Sequence, residues 1–174
     1  MERHVAPLLI ETPRLRGERI GIEHDAALLV VLRGAPWSEA IRIHSEHWDA
    51  HGFGYWMFFD RESGAPVARG GPRTAHVGGR DEVEIAWAVA PERWGQGYAT
   101  ELGAAAVRVA FADLGLASVV AYTTPDNRAS LRVMEKLGFE YEREVVHADL
   151  PHVLYRLSTS NPWPPSRSSS PSPP

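Results

Sequence analysis

The chain has 174 residues, enough for one domain with a substantial core. Its 44% hydrophobic and 23% charged residues are ordinary for a soluble globular protein, and no apolar run is long enough to span a bilayer. A formal net charge of -4 argues against phosphate-driven binding of nucleic acid, and the absence of cysteine excludes disulfides, thiolate metal sites and a thiol nucleophile. An acyl group therefore cannot pass through an enzyme thioester. The first residues, MERHVAPLLIETPR, are too weakly apolar for a secretory signal, so a cytoplasmic location is the default expectation. His44 and His47 are three apart on a predicted helix, but the histidines form no HExxH motif, and no metal is expected.

Residues 13–22 (PRLRGERIGI) alternate as a strand, with Leu15, Ile20 and Ile22 apolar among polar neighbours. Residues 24–33 have helical periodicity, interrupted by Gly34-Ala35-Pro36, and 37–50 form a second predicted helix with Trp37, Ala40, Ile41 and Trp48 at helical spacing. The aromatic run YWMFFD (55–60) predicts a strand, RESG (61–64) a hairpin turn and PVARGG (66–71) a return strand. Residues 72–81, polar and glycine-rich, read as a loop before the strand EVEIAWAVA (82–90). The longest helix runs over 97–114, with Ala99, Leu102, Gly103, Ala106, Val107 and Ala110 on one stripe and Gly115 as its stop. A β-branched strand at 117–124 precedes a helix over 126–137, capped by Asp or Asn and ended by Gly138. Strands at 139–149 and 152–158 follow, separated at Leu150-Pro151. The domain is expected to end at residue 157. The Ser/Pro-rich stretch 158–174 is expected to be a disordered tail, because it has too little apolar surface to offset the entropy of ordering. This order of elements predicts an α/β fold, a sheet of mixed direction with helices on both faces.

The most informative stretch is EIAWAVAPERWGQGYATELG (84–103), where a strand ends and a helix opens near Gly97. The first turn of a helix carries unpaired N–H groups and about half a unit of positive charge. Gly95 and Gly97 let the backbone approach an anion, so N–H groups from Trp94, Gly95, Gln96, Gly97, Tyr98, Ala99 and Thr100 can converge on phosphate oxygens. Taken alone, such a turn could equally be structural. Its spacing is not that of a dinucleotide fold, and no GK[ST] accompanies it.

Three segments in order, TPRLR (12–16), APERWGQGYATE (90–101) and DNRASLRVMEKLGF (126–139), resemble the GNAT superfamily of N-acetyltransferases, and within it the branch that acetylates ribosomal-protein N-termini. The resemblance covers about residues 10–157 and implies a mixed, mostly antiparallel central sheet. It also implies acetyl-CoA as co-substrate: residues 94–100 around the pyrophosphate, the backbone of Ala88 and Val89 along the pantetheine arm, and Asn127 holding the arm. A bulge where the two central strands splay would place the thioester beside residues 84–89. Two features depart from the family pattern: Trp94 opens the loop, and Met134 stands where many members have a proton-donating tyrosine.

The implied reaction is direct attack by an amine on the thioester in a ternary complex. At pH 7 deprotonation costs about 4–5 kcal/mol for a lysine and about 1–1.5 kcal/mol for an α-amine, so a nearby carboxylate base helps either. Glu84, on the strand beside the expected thioester, is the candidate base, the alternative being a solvated strand residue. Ser130, one turn before Met134, is the candidate acid or hydrogen-bond donor to the leaving thiolate, the alternative being a residue bonded within the helix cap. By the resemblance His147 and Tyr155 border the acceptor site, though packing roles are the simpler reading for them, as for Trp37, Trp48, Tyr55 and Trp56 near the presumed groove. The acceptor is a peptide N-terminus or a small amine, a non-catalytic acyl-CoA-binding module is the reading from another class, and a homodimer stays open.

Overall fold

A computed structural model describes residues 4–33 and 38–160. Trp37, the Gly34-Ala35-Pro36 break and all but the first three residues of the Ser/Pro-rich segment lie outside the described residues. The described elements are β1 (Leu9–Glu11), β2 (Leu15–Arg19), α1 (Asp25–Leu32), α2 (Ser38–His51), β3 (Trp56–Asp60), β4 (Pro66–Val77), β5 (Arg80–Val89), α3 (Tyr98–Arg108), β6 (Ser118–Thr123), α4 (Arg128–Lys136), β7 (Glu140–His147) and β8 (Leu150–Ser158). The eight strands form one sheet in the order β1-β2-β3-β4-β5-β6-β8-β7, in which only β5 and β6 run parallel. The expected mixed, mostly antiparallel α/β architecture is the one observed.

Side-chain alternation assigns the two faces. A Cβ on Gly70 would meet Leu102 of α3, whereas the neighbouring odd positions Arg69 and Arg73 lie over the Tyr55 ring, which itself packs on His44 of α2. Helix α3 thus covers one face, and α1, packed on β4 and β5, lies with α2 over the other. Leu15, Trp56, Phe58, Ile85, Leu102 and Leu137 are fully buried between the layers.

Four boundaries depart from the sequence expectation. The strand expected at 13–22 is only Leu15–Arg19, and Leu9–Glu11 forms an additional edge strand beside it. Residues 72–81 are not a loop: β4 runs on to Val77 and β5 begins at Arg80, joined by Gly78-Gly79. Both glycines have positive φ, 57° and 77°, which a two-residue hairpin turn requires. Helix α3 stops at Arg108 and relaxes into a wider π-type turn over Val109–Asp113. The β7–β8 turn is Ala148-Asp149, both at positive φ, and Leu150-Pro151 begins β8. Among the described residues no helix is long and apolar enough to cross a membrane.

Candidate active site

Strands β5 and β6 are bonded at one position only, Glu84 with Val120. Beyond it β5 continues to Val89 paired with β4 alone, and β6 continues to Thr123 paired with β8 alone. The sheet opens into a wedge with its apex at Glu84. The β4–β5 register runs without a shift from Val77↔Arg80 to Ala68↔Val89, so the splay arises without the expected bulge. The shifts that exist are at Phe58/Phe59 and Tyr141/Arg143, in other strands.

The wedge exposes backbone groups of β5. Ala90 N–H donates to Val67 O at 2.8 Å, toward β4. Alternation then points the polar groups of Ala88 toward β4 as well, and those of Trp87 and Val89 into the wedge. Of the two residues expected to line an extended ligand, Val89 faces the opening and Ala88 does not, while Trp87 takes the second place. The exposed Trp94 ring closes the outer end, its indole N–H donating to Val89 O at 2.7 Å.

Beyond β5 a single turn (Pro91–Arg93) leads into the glycine loop. Gly95 and Gly97 have φ of 72° and 83°, the left-handed region that side chains disfavour. Among the described residues, chain neighbours aside, no atom lies within 4 Å of a Cβ built on Gly95, and at Gly97 only Arg14 Nη2 does, at 3.5 Å. The space above both glycines is open. The N–H groups of Tyr98, Ala99 and Thr100 belong to the first turn of α3, where no preceding carbonyl can accept them, and residues 94–97 are solvent-exposed. All seven loop residues, Trp94, Gly95, Gln96, Gly97, Tyr98, Ala99 and Thr100, therefore lie at one mouth of the wedge.

On the β6 side Asn127 is the N-cap of α4. Its Oδ1 accepts from Ser130 N–H at 3.2 Å, and its Nδ2 donates to Thr123 Oγ1 at 2.9 Å. The Ser130 hydroxyl makes no hydrogen bond among the described residues and is half-buried. Met134, one turn on, is 1% exposed and belongs to the core.

At the apex Glu84 is 6% exposed and sits across from Arg73. Its Oε1 accepts from the Tyr55 hydroxyl at 3.0 Å and from Arg73 Nε at 2.9 Å, and Arg73 Nη2 lies 2.7 Å away. Burial and the negative charge of Glu84 push the Tyr55 hydroxyl far above its ordinary range, and Tyr122, on β6, is raised by the same two causes. Tyr122 in turn packs on His147 and His152, at ring distances of 4.9 and 5.9 Å. His147 thus reaches the apex cluster through Tyr122. Tyr155 instead packs against Tyr141 at 5.7 Å and neighbours Leu154, which faces the Val120 side; alternation puts Tyr155 on the other face. Trp48 and Trp56 are core residues in edge contact.

The sequence reading missed Arg73 and Tyr122. Arg73 was legible in principle. A two-residue turn at Gly78-Gly79 sets Val77 opposite Arg80 and, four steps along each strand, Arg73 opposite Glu84. Among the described residues no group of three or more His, Asp or Glu side chains is placed to hold a metal ion.

Comparison with known proteins agrees with this geometry. A family model described as acetyltransferase (GNAT) domain matches residues 31–140. A curated relative, FsC-acetyl coenzyme A-N(2)-transacetylase of Aspergillus fumigatus, is 32% identical over 157 residues, covering 76% of this chain and 65% of its own. The chain spans 64% and 65% of the length of two of the curated relatives it matches, and about a third of others. The acetyltransferase from Agrobacterium tumefaciens has the same fold, with a TM-score of 0.74 at 21% identity, over 90% of this chain and 98% of that one. So does Mycobacterium smegmatis RimJ in complex with CoA-disulfide, with a TM-score of 0.65 at 18% identity, over 92% and 91% of the two chains. The wedge, the glycine loop at its mouth and the matched domain model lead to one conclusion: this chain belongs to the acetyltransferase (GNAT) domain family.

Proposed function

We propose that the protein transfers an acetyl group from acetyl-CoA to a primary amine by direct attack in a ternary complex. The observation that carries this reading is the coincidence of three features around one wedge. A buried carboxylate marks the apex of the β5–β6 wedge, open backbone groups line its side, and a glycine-rich helix start stands at its mouth. In this reading residues 94–100 hold the pyrophosphate, the backbone of Trp87 and the Val89 N–H bond the pantetheine arm as a further strand would, and Asn127 flanks the arm from the start of α4. When bound, acetyl-CoA supplies an activated acyl group on a thiol leaving group.

Glu84 acts on the acceptor. Tyr55 and Arg73 both bind Oε1 and Tyr122 also hydrogen-bonds the carboxylate, so Glu84 is held in place, and it is the group we assign to the amine proton, directly or through one water. The half-buried Ser130 hydroxyl is the group we assign to hydrogen-bond the departing thiolate; with a thiol reference pKa near about 8.5, a hydrogen bond suffices and full proton transfer is not compulsory. A relative whose name specifies transfer to an N(2) position supports nitrogen as the acceptor atom. A peptide N-terminus and a small amine are the two acceptor classes. Release of free CoA from acetyl-CoA, followed with a panel of peptides and small amines, tests the reading. Acetylated product forming with one class identifies the acceptor. Tight binding of acetyl-CoA without turnover on any amine would instead make the protein an acyl-CoA-binding module.

A further inference from the structure

Two stretches distant in sequence meet beside the glycine loop. Glu101, in the first turn of α3, has a side chain only 13% exposed. It accepts from the Thr12 hydroxyl at 2.6 Å, from Arg14 N–H at 2.8 Å and from Arg14 Nε at 2.7 Å, across up to 89 residues of chain. Burial alone would push the Glu101 carboxyl up, but these donors outweigh it and hold it below the usual range. The same Arg14 side chain reaches further. Its Nη1 donates to Gln96 O at 2.9 Å, and its guanidinium lies 4.1 Å from the centre of the Tyr98 ring.

Gln96 stands between the two left-handed glycines. Glycine has the widest choice of backbone conformation and loses most on ordering; the Gln96 side chain is tied to Glu92 O at 3.1 Å, but the backbone carbonyl of Gln96 is held by Arg14. The Gln96–Gly97 peptide is planar and trans, so its C=O and N–H point in opposite directions. Fixing Gln96 O on Arg14 therefore fixes Gly97 N–H on the side away from Arg14. We infer that Arg14 is a positioning residue for cofactor binding, which by gripping Gln96 O turns the Gly97 amide into the anion cradle, with Glu101 and Thr12 holding Arg14 in place. The inference rests on the assignment of residues 94–100 to the pyrophosphate. Arginine is needed because one rigid fork must bond a carboxylate through Nε and a carbonyl through Nη1 together, which a lysine ammonium on a flexible stem cannot reproduce.

The test compares two ligands that differ in the pyrophosphate. Acetyl-CoA carries it and S-acetylpantetheine lacks it. Dissociation constants for both are measured on the full chain with Arg14→Met, Arg14→Lys and Glu101→Gln. Arg14→Met is expected to weaken acetyl-CoA about tenfold while leaving S-acetylpantetheine within about twofold, and Arg14→Lys is expected to restore only part of the loss. Glu101→Gln is expected to show the same selectivity more weakly, and combining it with Arg14→Met to add little further loss. Equal weakening of both ligands would make Arg14 a general support of the fold, and no change in either would leave it without a role; each overturns the inference. Gly97→Val serves as the reference. If it too fails to discriminate between the ligands, the pyrophosphate assignment itself is wrong, whereas selective loss in Gly97→Val with none in Arg14→Met refutes the positioning role alone.

Discussion

Arg73 stands directly across the β4–β5 hairpin from Glu84, and two of its nitrogens lie 2.9 and 2.7 Å from the same carboxylate oxygen. A carboxylate so deeply buried is costly to desolvate, and the guanidinium offsets that cost at the point where β5 and β6 part. The pair therefore has two separable consequences, one for turnover and one for folding.

Glu84→Gln keeps the shape and much of the hydrogen bonding but removes the proton acceptor. Turnover is expected to fall about 10²-fold with acetyl-CoA affinity unchanged. The deficit should shrink as pH rises toward the pKa of the acceptor amine, because the amine then loses its proton unaided. A pH–rate profile of the variant checks this, and a deficit that is the same at every pH would make Glu84 structural.

Arg73→Met leaves the Glu84 charge buried without its cation. Because the Arg73 side chain is 31% exposed, we expect a loss of about 1–3 kcal/mol rather than the larger cost of a fully buried pair. Adding Glu84→Gln to Arg73→Met should recover part of that stability, since the charge needing compensation is gone. Denaturant melts of the two single variants and the double variant measure the coupling.

The face covered by α2 also carries a pH dependence. Burial, and then the charges of Arg69 and Arg73, pull His44 down to about 3; burial, and then His51, pull His47 down to about 4. His47 accepts from Thr74 N–H through Nε2 at 3.1 Å, with Nδ1 2.9 Å from Phe53 O, so its neutral form is the one that fits. In both residues the folded pKa lies below the unfolded value of about 6.5, so the unfolded chain binds more protons between the two values. Stability is then fully present above about pH 6.5 and declines as pH falls toward 4. At pH 5 His44 alone should account for about 1–2 kcal/mol. Melting temperatures between pH 5 and 8 are expected to drop toward the acid side, and less steeply in His44→Phe.

Ser130→Ala is expected to lower turnover about tenfold without altering the melting temperature, because the cap bond to Asn127 uses the Ser130 backbone and not its hydroxyl. Met134→Tyr is not expected to help. Met134 is 1% exposed, so the larger ring would overpack the core and cost about 1–3 kcal/mol. Steady-state kinetics beside thermal melts separate the two effects. Full turnover in Ser130→Ala would assign protonation of the thiolate to water.

Much of the fold and of the cofactor side was legible as local pattern. Helical periodicity located α2 and α3, and WGQGYAT carried the glycine loop with its helix start. The missing parts are those that depend on register and distance. Polarity between Pro72 and Asp81 suggested a loop, yet a paired strand hides its ladder hydrogen bonds from any reading of side-chain polarity. That error concealed Arg73. The TPRLR segment was legible as a motif, but its contact with Glu101 and Gln96 spans more than 80 residues, which no periodicity encodes. Asn127 shows the converse: its capping bond was predictable from sequence and is what the geometry displays.

Calorimetric titration of acetyl-CoA into the wild-type chain and Gly97→Val tests whether the glycine loop holds the pyrophosphate. Gly97 has φ 83° and open space above it, so valine both strains the turn and fills the cradle. Saturable binding at one site is expected in the wild type, and affinity at least about tenfold weaker, about 1.4 kcal/mol, in a folded Gly97→Val. Absence of wild-type binding, or equal affinity in the folded variant, would contradict that assignment.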